Sequence, residues 1–241
     1  MNSPTVGILG DETAEAAVRA AGGQPVVGRT AVAAADPTYV VAIGESALLA
    51  AIETVGEVPV LPVEAGVGVR SVSCESLVTA VESLIKGAHD TVALPVIAAQ
   101  SPVGEARALA EVMLVAAEPA RISEYTVTSD GDRVATFRAD GVVVATPAGS
   151  RGYARRADGP LVAPEVDALA VVPVAPFSTS EDAWVVPPTG LELRVERDET
   201  PVELLADDRT AGTVGLGESV QVDRDGTLSI ALVDGSTGRF G

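Results

Sequence analysis

Between about Leu94 and Gln100 the hydrophobic rhythm of the chain changes, and this switch constrains the fold more than any other feature of the sequence. Upstream of it, short apolar runs alternate with segments of helical periodicity, the pattern of parallel βα units. Residues 5–9, 39–43 and 58–63 read as buried strands, and residues 11–21 as an alanine-rich helix. The clearest helix is residues 73–86. Leu77, Val78, Val81, Leu84 and Ile85 fall on one face, Ser73 can cap the start and Gly87 can end it. Downstream, β-rich runs are punctuated by Asp-Gly pairs at Asp130-Gly131, Asp140-Gly141, Asp225-Gly226 and Asp234-Gly235, which predict turns between antiparallel strands. Strands are expected at 111–115, 121–128, 133–138, 142–145, 191–197 and 228–233. The chain therefore reads as a Rossmann-like α/β domain over residues 1–95, followed by an all-β domain over residues 96–241.

Composition limits the partners. Acidic residues outnumber basic ones 34 to 16, Lys86 is the only lysine, and the net charge is -18. Such a surface repels nucleic-acid phosphates and anionic lipid heads, so the expectation is no nucleic acid and no membrane. No apolar run approaches the roughly 18–20 residues that cross a bilayer. Two sources fit the imbalance: a halophile, whose concentrated salt screens self-repulsion within a few Å, or a GC-rich genome that favours Arg and Ala over Lys. Cys74, the only cysteine, has no internal disulfide partner, and the first ten residues lack the charge and apolar run of a signal peptide. A cytoplasmic location is expected.

One segment speaks to function. Residues 140–160 read DGVVVATPAGSRGYARRADGP, a strand running into a loop rich in Gly and Pro. Glycines let a main chain approach a ligand closely, and Thr146 and Ser150 add hydroxyls suited to ribose or phosphate. On residue chemistry alone this is a weak signal, and an ordinary turn is the commoner explanation. The stretch nevertheless resembles the NAD kinase family's DGxxxxTPTGSTAY motif, with Asp140, Gly141, Thr146, Pro147, Gly149, Ser150 and Tyr153 at matching places and Gly159-Pro160 resembling its GGP. Asp167-Ala168-Leu169, Pro173 and Pro176-Phe177-Ser178 resemble its DALxxxPxxPHS segment, with Phe177 in place of His.

The resemblance implies an NAD kinase-like architecture, an α/β domain joined to a β-sandwich. It also implies dinucleotide contacts from Asp140, Thr146, Ser150 and Tyr153. The family's catalytic GGDGT and its two leucines align on residues 43–49, where Gly44, Leu48 and Leu49 are unchanged. By resemblance, Glu45 takes the place of the Asp that acts as general base on the ribose 2′-hydroxyl. Gly44 and Ser46 fall where glycines cradle the donor's phosphates. Glu45 also fits a purely structural part, an acidic residue opening a helix. The family's Asn-Glu pair aligns on Ala110 and Glu111, of which only Glu111 is kept. Glu64 and Asp158 add negative charge, Arg151, Arg155 and Arg156 add positive charge, and Asp207-Asp208-Arg209 stands where the family has DGQ.

Elsewhere the residues read as structural. His89 lacks a second His or Cys at metal-ligand spacing, Trp184 suits a β-domain core, and Cys74 lacks a His partner. No metal ligand is assigned within the chain. Two functions remain open: a kinase that takes NAD as substrate with ATP or polyphosphate and a divalent cation such as Mg, or a nucleotide-binding regulator that has lost turnover. The resemblance further implies a homodimer or homotetramer.

Overall fold

The structure is a computed structural model that describes residues 3–66, 68–118, 121–178, 182–198 and 200–237. It divides into two compact units, Met1–Leu94 with Thr227–Gly241, and Pro95–Gly226.

In the first unit the elements alternate: β1 (Thr5–Leu9), α1 (Ala14–Ala20), β2 (Gln24–Val27), α2 (Arg29–Ala35), β3 (Tyr39–Ile43), α3 (Glu45–Thr54), β4 (Val60–Val63) and α4 (Leu77–Ile85). The strands pair in parallel in the order β2-β1-β3-β4. β3 and β4 are nearly continuous runs of Val, Ile, Leu and Ala because both faces of a parallel sheet are covered. Val6, Ile8, Val41 and Leu61 pack with Val18, Val81 and Leu84 from the helices, forming the core of this layer.

β5 (Asp90–Ser101) carries the chain onward and pairs antiparallel with β6 (Gly104–Ala108). The second unit then builds β7 (Glu111–Ala116), β8 (Ser123–Ser129), β9 (Asp132–Ala145), a short α5 (Tyr153–Arg156), β10 (Leu169–Pro176), β11 (Trp184–Val186), β12 (Leu191–Arg197), β13 (Val202–Ala206), β14 (Arg209–Val214) and β15 (Ser219–Leu232). β9 is the central strand. Its first part pairs with β8, and its last part lies between β7 and β10. β8 continues through β12 to β15, and β7 through β13 to β14, all antiparallel. Alternate residues of these strands, among them Leu114, Tyr125, Phe137, Val144, Leu193 and Leu204, share one core. Trp184 stacks on Phe137 at 5.8 Å, the core position expected of it.

The structure departs from the sequence reading at several points. The sequence pattern runs the second domain to residue 241, yet β15 passes through Gly226 into the first unit, where Ile230 pairs with Val60 and Ala231 and Val233 join the core. Asp225-Gly226 is thus interior to a strand. Asp140-Gly141 is also no turn but part of continuous β9. A Cβ on Gly141 would stand 2.5 Å from the Leu114 carbonyl oxygen, so this glycine serves a close strand approach. Asp130-Gly131 does form the expected two-residue hairpin, with φ 50° and 84°, the left-handed pair such turns require. Ser73 makes no side-chain cap. Glu64 accepts the Cys74 N–H at 3.1 Å instead, at the start of the turn leading into α4. Val78, expected on the buried face, is 50% exposed, and Ala80 takes its place.

Candidate functional site

The first group of site residues sits at the carboxyl ends of β1 and β3, where ligands bind in open parallel sheets. Gly44 follows β3 with φ 86° and ψ 161°, a conformation essentially reserved for glycine. Its N–H donates to the Val63 carbonyl at 2.8 Å, and its carbonyl accepts the Leu48 N–H, the first turn of α3. The chain is thereby turned so that Glu45 and Ser46 open the helix as exposed residues beside a cleft of about 400 Å³. Gly10, Arg29, Gly44, Glu45, Ser46 and Ala47 line it.

By resemblance Glu45 aligns with an aspartate one methylene shorter, and the structure shows where its side chain lies. Its carboxylate lies over Gly66: a Cβ there would stand 3.1–3.3 Å from the carboxylate atoms. The bare glycine makes room for the longer side chain. Glu64, two residues earlier, is engaged through its hydrogen bond to Cys74 and does not compete for that space. Arg29 did not emerge from the sequence, because residues 24–35 carry too weak a periodicity to mark a strand and a helix.

The second group lies in the β-rich unit, at the end of β9. Thr146 donates its N–H to the Ala110 carbonyl at 2.9 Å and its hydroxyl to the Leu109 carbonyl at 2.7 Å, while accepting the Gly149 N–H at 3.3 Å. The Ser150 hydroxyl donates to the Pro147 carbonyl at 2.8 Å and accepts the Val162 N–H at 3.1 Å. Both side chains are fully buried. The structure therefore places these two hydroxyls inside the loop, where they fix its shape. Gly149 is equally constrained, since any side chain there would collide with the Ala110 carbonyl.

A residue distant in sequence from this loop supports the arrangement. Asp207 accepts backbone N–H bonds from Leu109 at 2.9 Å, Ala110 at 2.8 Å and Glu111 at 3.0 Å. Burial pushes its carboxyl above the usual carboxylate range, against those three bonds and Arg209, which pull it down. Residues 109–111 are thus held on one side by Asp207 and on the other by Thr146. Glu111 opens β7, and its carboxylate lies 3.8 Å from where a Cβ on Gly152 would be, so it faces the loop.

Tyr153, at the start of α5, is 37% exposed and is the motif side chain most open to a ligand. Asp140 is half-buried on β9. Its charge reaches Tyr125, whose hydroxyl is pushed up to about 12, chiefly by burial; Ser123 lies near enough to oppose this slightly but makes no well-formed hydrogen bond with it. His89 stands edge-on to Tyr39 at 5.5 Å in the first unit, and Cys74 is exposed.

A parallel α/β layer with a carboxylate beside a glycine-lined cleft, and a β-sheet unit with a tightly hydrogen-bonded glycine loop, define a two-unit α/β-plus-β protein. The ATP-NAD kinase C-terminal domain family matches residues 109–227. The chain belongs to the NAD kinase family. It is 47% identical over 77 residues to the NAD kinase of Methanosarcina barkeri, covering 32% of this chain and 28% of that one. It is 37% identical over 138 residues to the NAD kinase of Acidobacterium capsulatum, covering 56% and 48%. The alignments thus span about a quarter to a half of these relatives' length. In fold it resembles yeast NADH kinase complexed with NADH, with a TM-score of 0.80, 17% identity, and coverage of 96% of this chain and 84% of that chain. It also resembles the Archaeoglobus fulgidus NAD kinase in complex with ATP, with a TM-score of 0.77, 20% identity, and coverage of 94% and 92%.

Proposed function

We propose that the protein transfers a phosphate from ATP or polyphosphate to the 2′-hydroxyl of NAD, giving NADP, with Glu45 as general base. The observation that carries this reading is the seating of Glu45. Its carboxylate stands at a glycine-lined cleft, beside Gly44, with its added length accommodated over Gly66. In the reaction, the carboxylate takes the hydroxyl proton as the ribose oxygen attacks the terminal phosphorus. The bond from that phosphorus to the leaving phosphate breaks, releasing ADP or a shortened polyphosphate. Gly44 and Ser46 present backbone to the donor, and Glu111, Asp140 and Tyr153 contact the dinucleotide. Thr146 and Ser150 shape the loop that presents it.

Among the described residues no three His, Cys, Asp or Glu side chains converge to cage a metal ion. In this reading a divalent cation arrives on the donor's phosphates, as part of the substrate. The relatives' activity favours the kinase over the regulator, since the matched proteins are NAD kinases. The acidic surface supports a source with a saline cytoplasm, and the family resemblance supports a homodimer or homotetramer, which light scattering would read.

The test is NADP formation in concentrated KCl, with ATP and with polyphosphate, by the wild type and by Glu45→Ala. Loss of a positioned base lowers turnover by about 10²–10⁴-fold. A folded wild type that makes no NADP refutes the kinase reading. Full activity in Glu45→Ala removes Glu45 from its role.

A further inference from the structure

Resting on the phosphotransferase reading, we infer that Arg29 grips the donor's phosphates in the cleft of the first unit. Neither the family motifs nor the sequence reading assigns it a part. Three observations converge on it.

First, among the described residues Arg29 is the only cationic side chain lining the cleft it shares with Gly10, Gly44, Glu45 and Ser46. A polyphosphate approaching a chain of net charge -18 meets repulsion, and a cation at the binding wall offsets it locally. A guanidinium presents a planar fork of N–H donors that matches two phosphate oxygens at once.

Second, its anchorage is rigid. The Gly28 N–H donates to the Ile8 carbonyl at 3.0 Å, tying the start of α2 to β1, and Val32 donates its N–H to the Gly28 carbonyl at 2.9 Å. Val32 is fully buried and packs where Gly7 has no side chain; a Cβ there would stand 2.7 Å from it. α2 is thus keyed into the sheet, and Arg29 is carried to the cleft wall on a fixed stem.

Third, among the described residues it has no partner. Arg19, Lys86, Arg107, Arg121, Arg194 and Arg224 each face a carboxylate. Arg29, among the described residues, forms no ion pair or hydrogen bond. Glu45 lines the same cleft, yet its carboxylate leans over Gly66 rather than onto the guanidinium. The two charges are thereby kept for different tasks, the carboxylate for a hydroxyl proton and the guanidinium for phosphate oxygens.

The experiment is calorimetric titration of the full chain with inorganic tripolyphosphate, for the wild type, Arg29→Gln and Arg29→Lys, alongside steady-state kinetics with ATP and NAD. Loss of a charge-assisted contact weakens tripolyphosphate binding by about 10–100-fold in Arg29→Gln. Arg29→Lys keeps the charge without the fork and recovers part of that loss. KM for ATP rises by a similar factor while KM for NAD stays within about twofold. Because Arg29 is exposed, the melting curves of the variants should overlay that of the wild type. A wild type that does not bind tripolyphosphate overturns the inference. So does an Arg29→Gln variant that binds it within about twofold of wild type. Binding that depends on Arg29 in a protein making no NADP would instead refute the kinase reading and leave this one standing.

Discussion

Asp207 holds three consecutive backbone N–H groups, and the segment it holds carries Glu111 and the Ala110 carbonyl on which the glycine loop closes. An amide cannot replace it, because Asn turns one acceptor into a donor that faces another N–H. Asp207→Asn is expected to destabilise the protein by about 1–3 kcal/mol in urea unfolding. Its pH dependence has a definite sign. Burial raises the folded pKa above the ordinary 3.8, so the unfolded chain binds fewer protons at this group than the native one. Asp207's contribution is complete well below 3.8 and declines as pH rises through its folded pKa, so the wild type's advantage over Asp207→Asn is expected to shrink as pH rises out of the acid range. A gap that widens with pH would show that hydrogen bonding outweighs burial. Little of this was legible beforehand. Thr146 and Ser150 stood out as hydroxyls near a ligand loop, but the direction of a hydroxyl depends on carbonyls brought in from Leu109 and on the Val162 N–H, both distant in sequence.

Among the elements, β9 decides most. The sequence predicts two strands with a turn at Asp140-Gly141, because Asp-Gly is a turn signal and local pattern cannot distinguish a tight bend from a close crossing. In the structure β9 runs unbroken from Asp132 to Ala145, pairing with β8 and then lying between β7 and β10. Gly141 permits the second part, since β7 passes with the Leu114 carbonyl against it. Gly141→Ala should therefore force β7 and β9 apart, costing about 1–3 kcal/mol in urea unfolding and loosening the loop that follows Ala145. A variant as stable as the wild type would show that the approach can relax. The strands of the parallel layer were easier to read, residues 5–9 and 39–43 coinciding with β1 and β3. Buried on both faces, they are short uninterrupted apolar runs. β2 and α2 escaped notice, and Arg29 with them, because Gln24–Val27 is a half-exposed edge strand and α2 buries only Val32.

At the scale of the molecule, charge is the dominant fact. A chain with 34 acidic and 16 basic residues repels itself, and salt screens that repulsion over a length falling from about 10 Å at 0.1 M to about 3 Å at 1 M. Raising KCl from about 0.1 M to about 2 M is expected to raise Tm by at least about 2–4 °C, the shift that 1 kcal/mol produces in a protein of this size. A flat or falling Tm would mean that repulsion does not limit stability. Charge, the two periodicities, the switch between them and the glycine-loop motif were all determined by the sequence alone, because each depends on residue type and spacing along the chain. Tertiary structure decided the rest: the return of β15 to the first unit, the burial of Thr146 and Ser150, the space over Gly66 for Glu45 and the bracing of residues 109–111 by Asp207. These depend on which backbone atoms come to lie within about 3 Å of one another, and that is set by strand pairings between residues far apart in the chain.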